Sequence, residues 1–147
     1  VPRHYIVRTS WVIGEGRNFV RTMASLAERG IAPRVVGDQI GRLTFTDDLA
    51  AAITHLLSSA APFGVYNVTG AGEPRSWADI ARAVYRLTGH DPGGVTDVST
   101  AEYFADQAGP IAPRPLNSVL DLHRIESTGW RPRDADAALE AYLATNG

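Results

Sequence analysis

The strongest constraint on this chain is its alternation of strand-like runs with helical stripes. "HYIVRTSWVI", residues 4–13, is rich in β-branched and aromatic side chains and reads as a buried strand. A glycine-bearing turn follows. Asn18 is placed to cap "FVRTMASLAERG", where Phe19, Met23, Leu26 and Ala27 form a helical stripe that Gly30 ends. "RVVGDQIGRLTF" reads as a short strand, a polar loop and a second short strand. Thr46 is expected to cap "DDLAAAITHLLSSA", with Leu49, Ile53, Leu56 and Leu57 on one face and Asp47 and Asp48 in the dipole-favoured first turn. "GVYNVTG" is a strand, and Ser76 with Asp79 forms an S-x-x-D signature before the helix "IARAVYRLTG". "GGVTDVST" is expected as a strand, "AEYFADQA" as a short helix and "GPIAPRPLN" as a proline-stiffened loop. "SVLD" reads as extended, "HRIESTG" as a helical turn and "DADAALEAYLAT" as a final helix. Strands separated by helices imply βαβ units and a largely parallel sheet.

Composition removes several kinds of chemistry. The 147 residues suffice for one domain with a real core. A net charge of −2 offers no electrostatic basis for binding a nucleic acid polymer or an anionic membrane. All 14 basic residues are arginine, so no lysine is available for Schiff-base or lysine-assisted catalysis. The absence of cysteine excludes disulfides, zinc–thiolate sites and thiol nucleophiles. It is compatible with a reducing compartment, and a cytoplasmic location is expected. No run approaches the ~20 apolar residues of a membrane-spanning helix. No signal peptide is visible, and the start at Val1 suggests a piece of a longer protein.

The histidines, His4, His55, His90 and His123, show no metal-ligand spacing, and His55 falls off its helix's apolar stripe, as a solvated residue would. "VTGAGEPRSW" lies between a strand and a helix as a nucleotide loop would. However, Arg75 stands where a dinucleotide fingerprint needs its third glycine, and Pro74 lacks an amide donor, so a capped turn is the better reading. Three polar clusters remain: Arg8 to Trp11, Asp38-Gln39 through Thr44, and Arg114 within "APRP". The first two sit at or just beyond predicted strand ends, where parallel α/β sheets bind ligands. Arg114, between two prolines, has little backbone freedom, and its planar fork suits a pair of phosphate oxygens. Such a charge-assisted bond contributes roughly 1.5–3 kcal/mol, against about 0–1 kcal/mol for a surface ion pair. The competing readings are a core tryptophan and a loop arginine paired with a nearby carboxylate.

"YIVRTSWVIG", "NFVRTM", "VVGDQIGRLTFTDDLA", "GVYNVTGAGEPRSWADIA" and "RPLNSVLD" occur in an order that resembles the dTDP-4-dehydrorhamnose reductases, members of the extended short-chain dehydrogenase/reductases. The resemblance implies an α/β fold. It would be the C-terminal portion of a Rossmann-like enzyme, with late parallel strands and a small α/β substrate-binding lobe, forming one unit over residues 1–147. The family's cofactor loop and Tyr-x-x-x-Lys pair would precede this stretch. The expected role is therefore binding of a dTDP-deoxyhexose within an NADPH- or NADH-dependent reductase, with no activity by itself. By resemblance, Trp11 would pack against the deoxyhexose, Asn18, Gln39 and Arg42 would line the substrate side, and Arg114 would hold the diphosphate. The family usually has proline where Leu43 stands, which alters the loop carrying Arg42. The resemblance assigns no catalytic, cofactor-binding or metal-ligating residue to this chain and no cofactor bound by it alone. Its expected partners are a dTDP-sugar, a cofactor domain and a second copy through an exposed face. Proteins similar to these reductases also serve as non-catalytic regulatory subunits, as in the methionine adenosyltransferase β subunit, and others are nucleotide-sugar epimerases or reductases of related deoxysugars.

Overall fold

A computed structural model describes residues 1–146; Gly147, the last residue of the expected unit, lies outside the described residues. The strand expected over 4–13 is two strands, β1 (Tyr5–Arg8) and β2 (Val12–Ile13). Trp11 separates them with φ 49, a left-handed conformation rare for a bulky side chain. That turn sends the two halves to different partners. β1 runs parallel to β6 (Gly64–Asn67), and β2 runs parallel to β5 (Thr44–Phe45). β3 (Arg34–Val36) pairs in parallel with β8 (Thr96–Val98). β4 (Ile40–Gly41) pairs with β7 (Arg75–Ser76), and this pair is antiparallel. The expected parallel character holds for three pairs, but each forms a two-stranded ladder instead of joining one sheet. "SVLD" forms no strand; only the neighbouring Asn117 bridges to Ile40.

The helices follow their sequence signals closely. In α1 (Phe19–Glu28) the Asn18 side chain accepts from the Arg21 amide, and Val20, Met23 and Ala27 are buried. In α3 (Trp77–Leu87) the Ser76–Asp79 capping box is complete in both directions. Each satisfies backbone donors that a helix start leaves unpaired. In α2 (Thr46–Ser58), by contrast, Phe45 holds the N-cap position without a side-chain bond, so Thr46 is the first helical residue, not the cap. Its buried face is Ala52 and Leu56; Leu57 is 65% exposed and Ile53 41%, off the stripe expected for them. A 3₁₀ turn (Pro92–Gly94), α4 (Thr100–Phe104), α5 (His123–Glu126) and α6 (Ala135–Asn146) complete the chain.

Two hydrophobic clusters form the interior. The larger gathers Val20, Met23, Ile80, Val84 and Leu139 from α1, α3 and α6. The smaller gathers Leu56, Tyr66, Val68, Leu122 and Ile125 around β6, α2 and α5. Expected as a solvated residue, His55 is half-buried. Its Nε2 lies 2.9 Å from the Thr128 hydroxyl and 3.1 Å from the Thr128 carbonyl, and its ring packs on Trp130. No helix among the described residues is long and apolar enough to cross a membrane.

Candidate functional site

Trp11 turns its indole onto Trp77, the first residue of α3, with ring centres 3.9 Å apart and planes 22° from parallel. Phe19, the first residue of α1, packs against the same Trp77 at 4.6 Å and 54°. Helix starts place both rings: Asn18 and Ser76 cap their helices, so the side chain that follows each cap is directed toward the other. Gly41 of β4 lies against the indole of Trp11, and a Cβ there would stand 2.8 Å from its ring atoms.

Beyond this aromatic group opens a cavity of about 300 Å³, at the lower end of the size range of small-molecule sites. Its walls carry four rings, Phe19, Trp77, Tyr103 and Phe104, and two cations, Arg34 and Arg114. Gln39 lines it while only 8% exposed, and its Nε2 donates to the Thr100 hydroxyl at 3.1 Å. The arrangement suits a ligand with a flat aromatic portion and an anionic portion: rings supply stacking faces, and guanidinium forks supply paired donors.

The five expected site residues therefore separate. Gln39 and Arg114 line one cavity, and Trp11 reaches it through Trp77. Asn18 supports the wall from behind. Its Oδ1 caps α1, and its Nδ2 donates to the Gly14 carbonyl at 2.9 Å and to the Tyr142 hydroxyl at 3.1 Å. With its amide engaged on both sides, Asn18 orients Phe19 and leaves no group toward the cavity. Arg42 lines a different cavity, of about 610 Å³, together with Glu73, Asp79 and Glu140, and its buried Nε has no hydrogen-bond partner among the described residues. The turn between β4 and β5 carries it away from Arg114. Sequence reading missed Trp77, Phe19, Arg34, Tyr103 and Phe104. The available signal was an aromatic residue immediately after a helix cap, at both Phe19 and Trp77, and an adjacent aromatic pair in a short capped helix.

Electrostatics around the cavity rest on hydrogen bonds. The Thr100 hydroxyl, then the Thr100 amide, hold the Asp38 carboxyl below its usual range. The Ser99 amide, then its hydroxyl, do the same for Glu102. Among the described residues no group of three or more His, Asp or Glu side chains is placed to hold a metal ion.

The loop from Gly70 to Arg75 does not fit a dinucleotide. A Cβ at Gly70 would stand 2.5 Å from the Leu43 carbonyl oxygen, and Gly72, at φ 95, has the Asp134 carboxylate where a side chain would go. Those glycines admit neighbouring protein atoms, not a diphosphate.

This arrangement of parallel ladders and covering helices has its structural neighbours among the Rossmann-like extended short-chain dehydrogenase/reductases. Within that class, residues 1–146 match the family described as RmlD substrate binding domain, and the chain belongs to it. It is 45% identical to the spore coat polysaccharide biosynthesis protein SpsK of Bacillus subtilis (strain 168), over 94% of this chain and 46% of SpsK. A solved dTDP-4-dehydrorhamnose reductase from Clostridium acetobutylicum superposes with a TM-score of 0.84 at 36% identity, covering 96% of this chain and 48% of that one. The enzyme of the same name from Bacillus anthracis, solved in complex with NADP, gives a TM-score of 0.82 at 30% identity, covering 97% of this chain and 48% of that one. The chain thus spans a little under half the length of these relatives.

Proposed function

We propose that this chain supplies the nucleotide-sugar side of an NADPH- or NADH-dependent reductase acting on the C4 ketone of dTDP-4-dehydro-L-rhamnose. The observation that carries this reading is the aromatic and arginine-flanked cavity between α1, α3 and the 99–117 excursion. The rings of Trp77, Tyr103 and Phe104 offer stacking faces for the thymine base, and Arg114 with Arg34 offers guanidinium donors to the diphosphate. Trp11 fixes Trp77 from behind, and Gln39 supports the rim. The proton donor and the hydride source belong to the remaining length of the relatives. With no lysine and no Tyr-x-x-x-Lys pair, this chain alone is inactive as a reductase.

Titration of the purified chain with dTDP, followed by calorimetry and tryptophan fluorescence, tests the reading. Binding is expected to quench tryptophan emission, and Arg114→Ala to weaken affinity by roughly 10–100-fold, the equivalent of one charge-assisted bond. An absence of heat and of quenching at millimolar dTDP would refute it. NADPH oxidation by the chain alone would refute the division of labour. Substrate profiling of a reductase that carries this chain decides the deoxysugar.

A further inference from the structure

A single short stretch, residues 37–41, holds both ends of the excursion that carries Tyr103, Phe104 and Arg114. At the first end the Gly37 amide donates to the Val98 carbonyl at 2.8 Å. Next to it, the Asp38 carboxylate accepts the Thr100 amide at 3.0 and 3.1 Å and the Thr100 hydroxyl at 2.6 Å. Gln39 donates to the same hydroxyl. At the far end the Ile40 amide donates to the Leu116 carbonyl at 2.9 Å, and the Ser118 amide donates back to the Ile40 carbonyl at 2.7 Å.

Between these anchors the backbone has little else to hold it. Pro110, Pro113 and Pro115 lack amide donors, and among the described residues the backbone amides of 105–115 that bond, Ala105 to Glu102 and Gln107 to Phe104, do so locally. Position over the cavity is therefore inherited from the two ends. The Leu116 end is held by backbone groups that any residue would supply. At the Thr100 end the backbone ladder stops at the Gly37–Val98 bond, and Thr100 itself is held by the Asp38 and Gln39 side chains.

We propose that Asp38 and Thr100 are positioning residues, which set where Tyr103, Phe104 and Arg114 stand over the cavity although neither lines it. The proposal rests on the nucleotide reading above. Asp38 is exposed, so its removal opens no void in either core. The effect of losing it is thus confined to the excursion, which separates positioning from folding.

The test compares Asp38→Ala, Thr100→Val and Thr100→Ser with the parent chain, using dTDP calorimetry, urea unfolding and hydrogen exchange over residues 99–117. Asp38→Ala and Thr100→Val are expected to weaken dTDP binding by about 10-fold, the middle of the range for groups sharing one hydrogen-bond network. Both variants keep a single cooperative urea transition whose midpoint falls modestly, and Thr100→Ser, which keeps the hydroxyl, restores affinity and midpoint together. Amide exchange at Thr100–Phe104 accelerates in the first two variants. Parent-like dTDP affinity in Asp38→Ala would overturn the proposal. If the parent takes up no dTDP, the nucleotide reading falls, and unchanged exchange at Thr100–Phe104 in Asp38→Ala would overturn the anchor independently.

Discussion

Replacing Gly41 with alanine isolates the contact on which the aromatic wall rests. The added Cβ would lie 2.8–3.0 Å from three atoms of the Trp11 indole, including both atoms of the ring-fusion bond. Carbon atoms settle at about 3.5–4.0 Å, so the ring must withdraw by roughly 0.5–1.2 Å. Rotation of a flexible tip cannot achieve this, because the clash falls on the centre of the bicycle. Withdrawal disturbs a pair already stacked at 3.9 Å. Overpacking of this kind costs about 1–3 kcal/mol, and loss of a ring pair costs about 0.5–1.5 kcal/mol. Against this, alanine restricts the unfolded chain and returns about 0.4–1 kcal/mol. The steric term wins, leaving a net loss on the order of 1–3 kcal/mol. At this chain length each kcal/mol lowers Tm by about 2–4 °C. Thermal unfolding should show that drop, and near-ultraviolet circular dichroism should show a weakened band from the coupled tryptophans. A Tm at or above the parent value with an unaltered tryptophan spectrum would refute the reasoning.

Asn18→Ala removes a helix cap together with the bonds to Gly14 and Tyr142, and a loss of about 1–2 kcal/mol in urea unfolding is expected; a change within about 0.5 kcal/mol, the size of a neutral surface substitution, would contradict the supporting role. Acid should loosen the start of α4 specifically. Asp38 and Glu102 both have carboxyls held below their ordinary values, so their stabilisation is complete above about pH 4 and is lost as pH falls through the lowered values. An NMR titration following the Thr100 and Ser99 amides should therefore give midpoints below the ordinary carboxylate range. Midpoints at or above it would count against these hydrogen bonds.

Much of the architecture could be read from local signals, and the exceptions share a cause. The Asn18 cap and the Ser76–Asp79 box depend on residues within one turn, and both stand as expected. The left-handed backbone of Trp11 costs about 1–3 kcal/mol unless surroundings hold it. What holds it is Trp77, far along the chain and invisible to local pattern. Leu57 fits the periodicity of α2 but stays 65% exposed, because the buried face of that helix is the one toward the cluster of Tyr66 and Ile125. Gln39 and Arg114 were legible as polar residues near strand ends or in a stiff loop. The rings around them come from three separate segments, so no single window of sequence displays the wall. Arg42, which the family resemblance places beside Gln39 on the substrate side, lines a different cavity, because the turn after β4 parts the two.

The strand pairings carry a consequence for how this protein reaches its native state. No strand here pairs with its immediate successor in the chain; even the nearest partners, Val12 with Thr44, enclose the whole of α1. Hairpin zippering is closed to such a topology, and two-stranded ladders have little persistence of their own. Each ladder therefore closes a long loop, and loop-closure entropy makes non-local pairing of this kind slow to form.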